Sequence, residues 1–162
     1  MKHTRLPVFV LTFLWIGLLL LTAGCSSKKN EITSVASASD MAGNWLLIEP
    51  ASPYRITLQI TDVGSSFIEH YGVQLTGQSS VNQYFATGSF SIRPSIESGP
   101  TGTGSVSGLG STKIAGLPAA MQFENDYFAR LQAVNKAELA GTNQLRLSYG
   151  GTSPGVLVYK RQ

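Results

Sequence analysis

The sequence predicts a mainly β domain, with antiparallel strands and one long helix inserted before the last of them. Two observations carry this. Apolar and polar residues alternate through much of the chain, as at Tyr54, Ile56, Leu58 and Ile60 and at Leu145, Leu147 and Tyr149, the period-two pattern of half-buried strands. The exception is the segment at about 118–134. There Met121, Tyr127, Phe128, Leu131 and Val134 recur at three- and four-residue spacing, the stripe of a helix packed on one side.

The elements follow in order. Gly43 to Glu49 is a short apolar strand around Trp45, and Pro50 to Pro53 punctuates it. Tyr54 to Ile60 is a strand with one apolar face, and Asp62 to Ser66 has the composition of a turn. Phe67 to Leu75 is a weaker strand, interrupted by Gly72. Tyr84 to Ile92 is another, with Phe90 and Ile92 alternating. Arg93 to Gly110 is rich in Pro, Ser, Thr and Gly, and the expectation is a long mobile loop with room for a short strand near Ser105, its insertion spanning 94–108. Pro118 suits a first helical position, where its missing N–H costs nothing. Lys136 to Leu139, Leu145 to Tyr149 and Val156 to Lys160 then form a closing meander, with turns at Gly141 to Asn143 and Gly150 to Gly155.

The N-terminus reads as an export signal. Lys2, His3 and Arg5 precede an uncharged apolar run from Val8 to Leu21, and the small residues Ala23 and Gly24 lead to Cys25. This resembles a bacterial lipoprotein signal. On that reading residues 1–24 are removed by cleavage between Gly24 and Cys25, and the Cys25 thiol carries a diacylglycerol. Two or three acyl chains hold a protein firmly on a bilayer where one does not. Cys25 is the sole cysteine, so it has no disulfide partner within the chain. Ser26 stands where aspartate would favour inner-membrane retention, so the expected site is the outer membrane, facing the periplasm. Residues 25–40 are Ser-, Lys- and Asn-rich and are expected to be a flexible tether, leaving 41–162 as the folded domain.

The charge balance argues against nucleic acid. The chain has 12 Lys and Arg against 9 Asp and Glu, and Lys2 and Arg5 leave with the signal. Nothing larger than Lys28-Lys29 or Lys160-Arg161 remains as a basic cluster, whereas phosphate binding needs a basic face.

No catalytic set stands out. Gly99 to Gly104 has the gap of a phosphate loop, but Ser105 occupies the place of the essential lysine. No Gly-x-Ser-x-Gly elbow occurs. His70 is the sole histidine beyond the signal, and on a strand it points away from its neighbour Glu69. The carboxylates are scattered, and Glu124 and Asp126 diverge on the helix and are read as surface residues. The expectation is therefore no enzyme, no metal site and no cofactor apart from the lipid on Cys25.

Gly43-Asn44-Trp45 resembles the opening of lipocalin-like barrels, in which the tryptophan closes one end. Further segments, taken in order, resemble the META domain, the family of HslJ-like lipoproteins. They are Asn82-Gln83-Tyr84-Phe85 running into Gly88-Ser89-Phe90, then Ser111-Thr112-Lys113-Ile114-Ala115, then Met121, Glu124 and Phe128 to Leu131, and finally Leu145-Arg146-Leu147. Ser80-Val81 replaces the Gly-Cys of many members. The resemblance covers roughly 41–161. It implies a small, partly open antiparallel barrel of lipocalin-like topology with a helix against it. It also implies a role in the envelope or stress response, and the lipid anchor, the tether and the missing catalytic set add the expectation of a protein partner. The alternatives are a carrier of a small apolar ligand, or a pilotin that escorts a secretin.

Overall fold

The computed structural model describes residues 32–34, 41–67, 70–93, 101–140 and 142–162. The strands are β1 (Ile32–Ser34), β2 (Gly43–Glu49), β3 (Thr57–Phe67), β4 (His70–Gln78), β5 (Gln83–Arg93), β6 (Thr101–Ser111), β7 (Val134–Ala140), β8 (Gln144–Tyr149) and β9 (Gly155–Arg161). The helix α1 (Pro118–Gln132) lies between β6 and β7. From β2 onward each strand pairs antiparallel with the next, and β9 returns to β2. The result is an eight-stranded up-and-down barrel, as expected in class. It is a closed ring, and its slenderest seam joins β6 to β7 through Gly102↔Ala137 and Thr103↔Lys136. β1 continues that edge, pairing Ile32 to Ser34 with Ala140 to Glu138. The rest of the expected tether, the signal and Cys25 lie outside the described residues.

An eight-stranded barrel has an interior just wide enough for side chains to fill it. Here Trp45, Leu58, Val73, Leu75, Leu145, Leu147 and Leu157 are all buried within one apolar cluster. One barrel end holds the start of β2 and the end of β9. Trp45 is fully buried there, and its indole N–H donates to the Met41 carbonyl at 2.9 Å. The Arg161 guanidinium lies 4.3 Å from the ring centroid and donates to the Ala42 and Thr142 carbonyls. A cation over an aromatic face is attractive. Gly43, at φ 135°, leaves room for it, since a Cβ would stand 2.7 Å from an Arg161 nitrogen. The opposite end carries the β4–β5 turn, the β6–α1 link and α1.

Three sequence expectations are corrected. Residues 101–110, expected as a mobile loop with room only for a short strand near Ser105, belong with Ser111 to the full strand β6. Its glycines read as breakers, but two of them, Gly104 and Gly110, face rings on β5. A Cβ on Gly104 would meet Phe90 Cδ1 at 2.2 Å, and one on Gly110 would meet Phe85 Cζ at 2.4 Å. Cross-strand aromatics thus supply the packing that glycine lacks. Asp62 to Ser66, expected as a turn, belongs to β3. The turn chemistry is present, since Asp62 Oδ1 accepts from the Gly64 N–H at 2.8 Å, but it shapes a register shift between Asp62 and Gly64. Val134, expected on the helical stripe, is the first residue of β7.

Candidate functional site

The helix end of the barrel is organised by one carboxylate. Buried positions on α1 are Ala120, Glu124, Tyr127 and Leu131, a four-three-four spacing that puts Glu124 on the inward face. Glu124 is 2% exposed, which corrects its reading as a surface residue. Its Oε2 accepts the Ser79 hydroxyl, the Asn82 N–H at 2.8 Å and the Val81 N–H at 3.2 Å. Its Oε1 accepts the Asn82 side-chain amide at 2.7 Å. A buried carboxylate is tolerable when hydrogen bonds to the charged form replace water. Burial pushes the Glu124 pKa up. The bonds from Ser79, from the Asn82 side chain and from the Asn82 and Val81 backbone outweigh burial and hold it below its ordinary value.

Asn82 relays this anchor to the β6–α1 link. Besides Glu124, its amide donates to the Ile114 carbonyl at 3.2 Å. Its Oδ1 accepts the Thr112 hydroxyl and the Ile114 N–H, both at 2.8 Å. All four hydrogen-bonding positions of the side chain are used. Ser80 adds a bond to the Ala120 carbonyl at 2.7 Å. Turn, link and helix are therefore fixed to one another by side chains in a water-poor setting, where such networks rigidify.

That rigid link presents apolar surface outward. Residues 112–119 are all exposed, with Ile114 at 58% and Leu117 at 78%. An irregular segment normally sheds such residues to the core or to polar substitutes. Here both backbone groups of Ile114 are held by Asn82, so its side chain is displayed at a fixed position. An open concavity of about 360 Å³, lined by Asn82, Lys113, Ile114, Met121 and Phe128 among others, adjoins it.

Beneath the network lies a chain of buried phenols. Tyr84 OH and Tyr127 OH are 2.8 Å apart, and Tyr127 OH and Tyr159 OH 3.1 Å apart. Tyr84 donates to the Thr57 carbonyl at 2.9 Å. A phenol has one proton, so Tyr127 must donate to Tyr84 and Tyr159 to Tyr127. Burial raises all three pKa values well above the usual phenol value. The arrangement places three phenols among the apolar side chains of the barrel interior and gives each hydroxyl a partner.

Of the residues singled out in the sequence, Trp45 closes one barrel end and Glu124 proves central to the other. Asp126 is exposed and accepts from Gln122 at 2.9 Å. His70 opens β4, paired with Phe67 and Ser91. Its side chain, Glu69, Gly99, Cys25 and Ser26 lie outside what is described. Among the described residues no group of three or more His, Cys, Asp or Glu could hold a metal, and no helix is long and apolar enough to cross a membrane. The roles of Asn82, Ile114 and Leu117 were missed. The spacing of Glu124 with Ala120, Tyr127 and Leu131 was the available signal for the carboxylate.

Comparison with known proteins gives one result. A model of the META domain family matches residues 34–162, which takes in the barrel from β2 to β9, the helix and the Asn82–Glu124 network. Neither curated proteins nor solved structures gave a match. The chain belongs to the META domain family.

Proposed function

We propose that this META-domain protein is a non-catalytic lipoprotein of the outer membrane that supports the cell envelope by holding a protein partner on its β6–α1 link. The observation that carries the reading is the pair Ile114 and Leu117, exposed at 58% and 78% on a segment pinned by Asn82. Apolar anchors held in place before binding lose little entropy when a partner covers them. Geometry supports the topology of such a complex. The described chain enters the barrel at the Trp45 end, since Ile32 pairs with Ala140 and Met41 caps Trp45. A lipid on Cys25 would therefore tether that end and leave the link facing away from the membrane.

The apolar-carrier alternative finds less support, because interior positions are taken by Trp45, Tyr84, Tyr127, Tyr159 and a cluster of aliphatic side chains. The test is photo-crosslinking in intact cells from a photoreactive residue at position 117. The expected result is one discrete envelope protein, lost when Ile114 is changed to Ser. A probe that captures nothing at 117, in cells where the protein is abundant, would defeat the proposal. Mass spectrometry of the mature N-terminus tests the anchor: a free Cys25 thiol or a retained Met1 would refute it.

A further inference from the structure

The outer face of β2 to β6 has a chemistry of its own, separate from the link. Register aligns Asn44, Gln59, Thr76 and Phe85 side by side, ending at Gly110. A second row aligns Thr61, Gln74, Thr87 and Ser107. Neighbouring strands are about 4.8 Å apart, so amides and hydroxyls repeat at close to the length of one sugar ring. Segments 57–61, 74–78, 83–89 and 103–111 contain no charged residue.

One aromatic ring stands in this neutral field. Phe85 is 56% exposed, and its ring lies over Gly110, where a Cβ would meet three ring atoms between 2.4 and 2.9 Å. The glycine fixes the ring's inner side and leaves the outer side to solvent. Beside it is an open concavity of about 580 Å³, lined by Thr57, Thr76, Gln83, Phe85 and Thr112 among others.

Charge complementarity selects the occupant. Nucleic acids and anionic lipid surfaces require cations, and charged polypeptides require opposite charge. A lipid chain requires contiguous apolar surface, whereas here a single ring is surrounded by hydrogen-bonding groups. A neutral sugar polymer meets both demands. The C–H face of a pyranose covers an aromatic ring, and its polar substituents exchange water for Thr hydroxyls and Gln amides. Gln59, Gln74 and Gln83 are exposed primary amides, which pair with amides through a donor and an acceptor at once. We propose that this face, centred on Phe85, binds an uncharged glycan bearing acetamido groups, a chain of N-acetylhexosamine units.

The test is calorimetric titration of the full-length protein in detergent with the hexamer of N-acetylglucosamine. The expected result is saturable binding, weakened at least tenfold by Phe85→Ala and retained by Phe85→Trp. Thr87→Glu, an exposed change that leaves the Phe85–Gly110 contact intact, should also weaken it at least tenfold, so the test survives if Phe85→Ala loosens β5 from β6. Cellohexaose, which lacks acetamido groups, should bind at least tenfold more weakly. Leu117→Ser should bind as the wild type does, which keeps this site distinct from the proposed partner surface. Absence of saturable binding, equal affinity for cellohexaose, or Phe85→Ala and Thr87→Glu both binding as wild type would overturn the proposal. So would a Phe85-dependent dimer in analytical ultracentrifugation, since a second copy would then be the occupant.

Discussion

Removing the Glu124 carboxylate should destabilise the domain more than any other single polar change. Glu124→Ala leaves the Ser79 hydroxyl, the Asn82 N–H and the Asn82 side-chain amide without their acceptor, and Ser79 and Asn82 are each 2% exposed. An unsatisfied buried donor costs about 1–3 kcal/mol. The Ser79 hydroxyl can rotate away, which leaves the two Asn82 donors, so the total should be about 2–6 kcal/mol. In urea that lowers the midpoint by roughly 2 M at an m-value of about 2 kcal/mol/M. Glu124→Gln separates charge from shape. If its carbonyl takes the place of Oε2, its NH2 opposes the Asn82 amide, donor against donor. Asn82 cannot turn over without losing its bonds to Thr112 and Ile114. The expected loss is about 2–3 kcal/mol. The sign with pH is fixed by the lowered pKa of Glu124. Its contribution is fully present above the unfolded carboxylate pKa of about 4.3 and is lost as pH falls through the lower folded value. Glu124→Gln should lack that acid-dependent component. An alanine variant within 1 kcal/mol of wild type at pH 7, with unchanged m, would refute the assignment of Glu124 as the anchor of this end.

Four further outcomes can be checked on the same footing. Tyr127→Phe removes the acceptor of Tyr159 and should cost about 1–3 kcal/mol in denaturant melts. Spectrophotometric titration should leave Tyr84, Tyr127 and Tyr159 protonated past the ordinary phenol range. Because their folded pKa values are raised, stability is undiminished below the unfolded value of about 10 and is lost as pH rises above it; three phenols titrating normally in the native state would contradict their burial. Gly104→Val places carbon 2.2 Å from Phe90 and 2.5 Å from the Ser89 carbonyl, an overpacking expected to cost at least 1–3 kcal/mol, read as a lowered melting temperature. Arg161→Ala uncovers Trp45 and frees the Ala42 and Thr142 carbonyls; a loss of about 1–2 kcal/mol is expected, with a change in the near-ultraviolet circular dichroism of the tryptophan.

Much of the barrel was legible because strands announce themselves by period. Leu145, Leu147 and Tyr149 lie on β8 as their alternation implies, and α1 begins at Pro118 as its ring geometry favours. β6 was not legible, since Gly102, Gly104 and Gly110 are strand-breaking by local propensity. What makes them strand residues is the pairing of Phe90 with Gly104 and of Phe85 with Gly110, rings that come from another part of the chain. The site was less legible still. A glutamate two residues from an aspartate on an amphipathic helix reads as solvent-facing, and its partners Ser79 and Asn82 lie more than forty positions away.

The class, a β domain with one inserted helix, is carried by the amino-acid sequence alone, together with the family and the expectation of a lipid on Cys25. Those rest on local pattern and on motif order, which survive without knowledge of contacts. Tertiary structure decided that the ring closes and that its interior is filled. It decided that Glu124 is buried and anchors a turn, that Ile114 and Leu117 are displayed, and that Phe85 stands on a neutral face. Each of these depends on which side of an element meets which distant neighbour. Burial, and with it the cost of a charge or an unpaired donor, is a property of that meeting and of no single segment.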